Sequence, residues 1–140
     1  MRTTLADHDL RLRIYLVEGD PVTRKRLAEW FLDQKNARLV GVAATEDDAK
    51  NWLTKHSSAW DLAVVDLFLE QGSGLAVVQG CRDRSLKQKL IVLSDYATPE
   101  IRERSMILGA DAVYDRTTEL NEFLDYAMNE VERHQTNTIF

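Results

Sequence analysis

Four chemically useful side chains in this sequence each lie at the end of a short apolar run. The clearest case is Asp66, which follows the apolar residues Leu62–Val65. A run this short and apolar is typical of a strand buried on both faces. The other three side chains stand at the ends of similar runs, and they are Glu18, Ser94 and Arg116.

These residue types suit the transfer of a phosphoryl group. Parallel strands end at one edge of a sheet, where open α/β sheets place their chemistry, so the four side chains are expected to meet there. Glu18 and Asp66 would repel each other unless a cation lay between them, and Mg²⁺ prefers oxygen ligands. A hydroxyl and a guanidinium bind phosphoryl oxygens, and an aspartate is a nucleophile towards phosphorus. Together they predict an aspartate that accepts a phosphoryl group.

A strand followed by a helix occurs five times along the chain, which predicts a parallel sheet with helices on both faces. The predicted strands are residues 12–17, 39–44, 62–66, 90–93 and 112–114. Helix starts are indicated by Asp20-Pro21, by Thr45 and by Thr98-Pro99. The first helix is predicted to end near residue 34, and the second to begin at residue 45. The remaining three are predicted to span 75–84, 98–109 and 120–131.

Size, charge and cysteine content restrict the class of protein. The 140 residues fit one domain, predicted at 11–132 between a flexible leader (1–10) and a polar tail (133–140). A net charge of -5 argues against direct binding of nucleic acid. The single cysteine, Cys81, suits a reducing compartment, and the sequence has no recognisable signal peptide or membrane span. We therefore expect a cytoplasmic protein with no membrane association.

Four segments carry a family resemblance. They are residues 16–21 (LVEGDP), 65–75 (VDLFLEQGSGL), 92–94 (VLS) and 109–116 (GADAVYDR). In this order and at these intervals, they make the span from about 12 to 131 resemble the receiver domain of two-component response regulators. The resemblance implies a flavodoxin-like, doubly wound sheet of five parallel strands in the order 2-1-3-4-5, with three α/β/α layers.

The resemblance also implies a role for each site residue. Asp66 matches the phospho-acceptor, which would become 4-aspartylphosphate, and Ser94 matches the switch hydroxyl. Arg116 stands in place of the usual lysine. The metal ligands for Mg²⁺ would be Glu18, Asp66 and the backbone carbonyl of Phe68. The implied partners are a sensor histidine kinase or a histidine phosphotransfer protein, and a downstream protein on the face formed by helix 4, strand 5 and helix 5. Self-association as a homodimer is an alternative output.

The sequence departs from the family pattern at several positions. Gly19 occupies the second acidic position, so Mg²⁺ binding is expected to be weak and Gly19→Asp is expected to strengthen it. Asp20 comes one residue late as a metal ligand, and its place before Pro21 also suits a helix N-cap. A guanidinium is a planar fork, so Arg116 is expected to hold Asp66 or Asp95 at rest. The charge of Asp95 would oppose an incoming phosphate.

Three functions compete. The first is a response regulator receiver, which has no enzymatic activity beyond its own phosphoryl transfer and dephosphorylation. The second is a phosphorylation-independent interaction module of the same fold, favoured by Gly19, Asp95 and Arg116. The third is an enzyme or nucleotide binder, against which the absence of glycine-rich phosphate loops argues. A phosphotransferase of the haloacid-dehalogenase type would need an acid where Phe68 stands.

Overall fold

The computed structural model describes residues 10–139, with side chains described as far as residue 136. Nearly all of the predicted leader, residues 1–9, lies outside the described residues. The strands are β1 (Leu12–Val17), β2 (Ala37–Ala43), β3 (Leu62–Val65), β4 (Lys89–Ser94) and β5 (Ala112–Asp115). The helices are α1 (Pro21–Leu32), α2 (Glu46–Lys55), α3 (Gly74–Gly80), α4 (Pro99–Ile107) and α5 (Leu120–Ile139).

All five strands are parallel and lie in the order β2-β1-β3-β4-β5, which confirms the predicted topology. The register pairs Val17 with Val65 and Val65 with Val92. Between β4 and β5, Ser94 pairs with Asp115. Because these strands end at nearly the same height, the residues that follow them share one edge.

The core consists of two layers, one on each face of the sheet. Alternate strand residues point to opposite faces. On one face Tyr15, Ala63 and Val65 contact α2 and α3, and on the other Leu16 and Val64 contact α1 and α5. The sheet is therefore covered on both sides, which confirms the three-layer α/β/α prediction. Among the described residues, no helix is both long enough and apolar enough to span a membrane.

Side-chain caps begin the helices at the predicted positions. Asp20 accepts a hydrogen bond from the Thr23 N–H at 2.9 Å, and Thr98 accepts one from the Ile101 N–H at 3.2 Å. Thr45 caps α2 in the same way. Each cap satisfies one of the backbone donors that a helix start leaves without an intrahelical partner.

Two helix ends differ from the prediction. α3 ends at Gly80 rather than near Arg84, because the Arg84 guanidinium donates to the Cys81 carbonyl at 3.0 Å and stabilises a non-helical turn. α5 continues to Ile139, so residues 133–139 of the predicted tail are helical. Its last turns are tied to the body of the domain, since the Gln135 side-chain amide donates to the Leu10 carbonyl.

Candidate phosphoryl-acceptor site

The fold brings the four predicted site residues together at the carboxyl edge of the sheet. Glu18 follows β1, Asp66 follows β3, Ser94 ends β4 and Arg116 follows β5. Three backbone bonds extend the sheet at this edge: Glu18 N–H to the Ala43 carbonyl at 2.9 Å, Asp66 N–H to the Val17 carbonyl at 2.8 Å, and Arg116 N–H to the Ser94 carbonyl at 2.9 Å. The sheet therefore fixes the backbone from which each side chain projects.

Glu18 is a buried acid held by several partners. Only 1% of the residue is exposed, its Oε2 accepts the Asp20 N–H at 3.1 Å, and its Oε1 accepts Arg116 Nη1 at 3.0 Å. Burial, together with the hydrogen bond and negative charge of Asp66, raises the pKa of Glu18 to about 8, while the Asp20 amide and Arg116 oppose the rise. The site therefore favours the protonated form of Glu18 more than water does.

Asp66 is 5% exposed and lies at the start of a tight loop. The Phe68 N–H points to its Oδ1 at 3.4 Å. Gly74 approaches this loop so closely that an added Cβ would lie 2.0 Å from the Asp66 carbonyl oxygen. This contact is the physical reason for a glycine eight residues beyond the acid, because any side chain there would displace the Asp66 backbone.

Arg116 binds two acids at once. Its Nε donates to Asp95 Oδ1 at 3.0 Å, its Nη2 donates to Asp95 Oδ2, and its Nη1 donates to Glu18. Of the two ion pairs that the sequence allowed at rest, with Asp66 or with Asp95, the structure has the one with Asp95 and adds one with Glu18. The guanidinium thus bridges a buried acid and a half-exposed acid.

Ser94 is fully buried, and its hydroxyl accepts the Tyr96 N–H at 3.2 Å. On β5, the next strand along the sheet, Val113 and Tyr114 belong to opposite faces: Val113 lies on the face of Ala63 and Val65, and Tyr114 contacts the rings of Phe123 and Tyr126 in α5. In the resemblance to receivers, Val113 stands where many members carry an aromatic switch residue, and the aromatic side chain of Tyr114 lies on the opposite face of the sheet.

The loop 18–20 differs from the expectation for a metal site. Asp20 is engaged as the N-cap of α1, with Oδ2 accepting both the N–H and the hydroxyl of Thr23. A Cβ on Gly19 would lie 2.5 Å from the Phe68 carbonyl oxygen and 2.8 Å from Leu69 Cα. From the sequence, Gly19→Asp is expected to add a metal ligand. In the structure the new side chain would also displace the Phe68 backbone, whose carbonyl is itself a proposed ligand. Within residues 10–139, no group of three or more His, Cys, Asp or Glu side chains could hold a metal ion.

The sequence interpretation missed two features around the site. Arg24 donates to the Glu18 carbonyl at 2.9 Å, so a side chain from α1 fixes the β1–α1 loop. The rings of Phe68 and Tyr96 meet edge to face at 5.2 Å although both residues are more than half exposed. The available signal was an aromatic residue two positions after Asp66 and another two positions after Ser94, both in polar loops. The aromatic pair borders a cavity of about 340 Å³, whose lining residues are Asp20, Asp66, Phe68, Asp95, Tyr96 and Arg116.

Comparison with known proteins identifies the family to which this chain belongs. The family model of the response regulator receiver domain matches residues 14–128. The chain belongs to the response regulator receiver family. Receiver domains are signalling modules of two-component systems, and their flavodoxin-like fold is the one observed here.

Similar proteins agree with the family assignment. The chain is 28% identical over 109 residues to the photosynthetic apparatus regulatory protein RegA of Rhodobacter capsulatus, a match that covers 78% of this chain and 57% of RegA. The chain thus spans little more than half the length of the curated relatives that it matches.

Solved structures of receivers share the fold. A LuxR-family two-component response regulator from Aurantimonas sp. SI85-9A1 superposes with a TM-score of 0.75 at 16% identity, covering 87% of this chain and 86% of that one. The structure of the CheX-CheY-BeF3-Mg+2 complex from Borrelia burgdorferi gives a TM-score of 0.74 at 16% identity, covering 84% and 87% of the two chains. At these identities the superpositions establish the fold.

Proposed function

We propose that this receiver accepts a phosphoryl group on Asp66 from a phosphorylated histidine of a sensor kinase or a phosphotransfer protein. The observation that carries the proposal is the buried acid pair of Glu18 and Asp66, of which Asp66 lines an open cavity. Two acids in contact and out of water cost stability. A module that used this fold for binding alone would gain nothing from keeping them, so the pair favours phosphoryl chemistry over the phosphorylation-independent alternative.

The transfer forms one bond and breaks another. An Asp66 carboxylate oxygen attacks phosphorus, and the O–P bond forms as the N–P bond to the donor imidazole breaks. The imidazole nitrogen keeps the electron pair of the broken bond and takes up a proton. Arg116 and the buried Ser94 hydroxyl lie at the same edge as Asp66 and would bind the phosphoryl oxygens of the acyl phosphate.

The donor chemistry of the acid pair fits a hard divalent cation. A divalent cation held by Glu18 and Asp66 would offset the burial and repulsion that raise the pKa of Glu18, and Mg²⁺ commonly keeps several water ligands beside one or two carboxylates. Glu18, Asp66 and the Phe68 carbonyl are the proposed ligands, while Asp20 is occupied as a helix cap. When bound, Mg²⁺ supplies charge neutralisation for the transferring group.

The signal would leave through α4, β5 and α5. In the unphosphorylated protein the Ser94 hydroxyl accepts the Tyr96 N–H, and turning it towards a phosphoryl group would loosen the segment that leads into α4. Arg102 of α4 links this segment to β5 and to the start of α5. It donates to the Ala97 carbonyl at 2.9 Å, to the Val113 carbonyl at 3.2 Å and to the Glu119 carboxylate at 2.5 Å. We expect phosphorylation to shift the populations of this face and so change its affinity for a downstream protein.

Intact-mass analysis tests the proposal. The protein is incubated with acetyl phosphate and Mg²⁺, and in parallel with a panel of phosphorylated histidine kinases. A phosphate adduct on the wild type and none on Asp66→Asn is the expected result, because asparagine keeps the shape but has no nucleophilic carboxylate. An unmodified wild-type protein under all donors would instead support the phosphorylation-independent module.

A further inference from the structure

Asp95 occupies the part of Arg116 that is best suited to a phosphoryl group. The Nε and Nη2 atoms of Arg116 form one of the two edges of the guanidinium that present a pair of parallel N–H groups, and both donate to the Asp95 carboxylate. The remaining nitrogen, Nη1, donates to Glu18. All three guanidinium nitrogens are thus engaged before any phosphoryl group arrives.

A carboxylate and a phosphoryl group compete for this edge because the planar fork of arginine fits either one bidentately. Asp66, Asp95 and Arg116 line the same cavity of about 340 Å³. A phosphoryl group on Asp66 would therefore enter a space in which the matching edge of the guanidinium already binds an anion. One bidentate edge cannot hold both anions in the same geometry.

We propose that Asp95 is an internal competitor of the phosphoryl group. It occupies the Nε–Nη2 edge of Arg116 until Asp66 is phosphorylated, and the phosphoryl group then takes its place. This inference rests on the proposed function of Asp66. In the exchange, the phosphoryl oxygens take the edge and Asp95 turns out to solvent. The exchange makes the resting protein a poorer phosphoryl acceptor and turns phosphorylation into a signal at the β4–α4 connection, residues 95–98.

The geometry indicates which partner moves. The Arg116 backbone is fixed to β4 through its bond to the Ser94 carbonyl, and its side chain is 18% exposed. The Asp95 side chain is 42% exposed and stands at the first position after β4. Rehydration of an exposed carboxylate is easy, and exposed ion pairs are weak, so Asp95 is the partner that leaves.

Removal of the competitor should speed phosphorylation. With acetyl phosphate and Mg²⁺, we expect Asp95→Ala to form the phosphate adduct about fivefold faster than wild type, the factor that corresponds to one ion pair at the upper end of the exposed range. Glu103→Ala is the matched control, because it removes one exposed negative charge from α4 and leaves Arg116 untouched. Its rate should equal that of wild type.

A double mutant separates competition from general repulsion. If Asp95 acts by occupying Arg116, the gain from Asp95→Ala should disappear in an Arg116→Ala background. A gain that persists there, or a rate of Asp95→Ala equal to wild type, overturns the competition while leaving the phosphoryl-acceptor function intact. If neither wild type nor Asp95→Ala forms an adduct, both the proposed function and this inference fail.

The Arg116 Nε–H resonance gives a readout that is independent of rate. Assigned by its loss in Arg116→Lys, it should shift on Asp95→Ala and again on phosphorylation of the wild type, because each change replaces its acceptor. An unchanged resonance after stoichiometric phosphorylation would show that Asp95 stays in place and would overturn the exchange.

Discussion

Replacing Gly19 by aspartate distinguishes a metal site that lacks one ligand from a loop that requires glycine. The position would add an acid beside Glu18, which from the sequence should strengthen Mg²⁺ binding. In the structure, an added Cβ lies 2.5 Å from the Phe68 carbonyl oxygen, whereas ordinary contact begins near 3.4 Å. The backbones of the two loops would have to separate by roughly 0.9 Å, so we expect Gly19→Asp to weaken the fold and leave Mg²⁺ affinity without gain.

The size of the effect follows from overpacking. Extra atoms forced into a filled space cost about 1–3 kcal/mol. For a domain of this length, each kcal/mol lowers the melting temperature by about 4 °C, which predicts a loss of about 4–12 °C. Thermal unfolding followed by circular dichroism, in EDTA and again in excess Mg²⁺, measures both the loss and any stabilisation by the metal.

Two alanine variants make the assay decisive. Gly19→Ala adds the same Cβ without a charge and should lose a similar amount. Gly80→Ala adds a Cβ where no other atom lies within 4 Å, at the end of α3, and should stabilise the protein by about 0.5–1 kcal/mol. The reasoning is refuted if Gly19→Asp melts with wild type and binds Mg²⁺ more tightly. A stable Gly19→Ala beside an unstable Gly19→Asp would replace the steric explanation with charge repulsion.

Two further predictions follow from the site. Because the pKa of Glu18 is raised to about 8 in the folded protein, this carboxyl group binds a proton there at pH values where it is ionised in the unfolded chain, in which its pKa has the ordinary value of 4.5. Its unfolding free energy should therefore fall as pH rises from about 5 to 8, by at most about 1.4 kcal/mol per pH unit. Urea unfolding in EDTA measures this fall, and the Glu18→Gln variant should lack it. An identical pH dependence in the two proteins would contradict the prediction. Asp20→Ala should cost about 1 kcal/mol through loss of the helix cap and leave Mg²⁺ affinity unchanged, whereas Asp20→Asn should retain the cap; a drop in affinity measured by calorimetry would make Asp20 a metal ligand.

Local signals in the chain were sufficient for the elements of the fold. The strands appeared as apolar runs because a parallel sheet buries both faces of each strand. The helix starts at Asp20, Thr45 and Thr98 were readable because capping depends on a side chain and backbone only three residues apart. The helix ends were less predictable. The turn after α3 depends on a guanidinium that folds back on the chain, and α5 extends to a contact with Leu10, which is 125 residues away in sequence from Gln135.

The sequence also determined which residues reach the site, whereas their pairing was decided by the tertiary structure. A common strand end places Glu18, Asp66, Ser94 and Arg116 at one edge, and this follows from the alternation of strands and helices, while the strand order followed from the resemblance to receivers. Whether Arg116 would bind Asp66 or Asp95 depends on distances of a few ångströms between loops far apart in sequence. The need for glycine at position 19 likewise comes from the approach of the loop at Phe68, since steric contact acts between neighbours in space and leaves no periodic pattern in the chain.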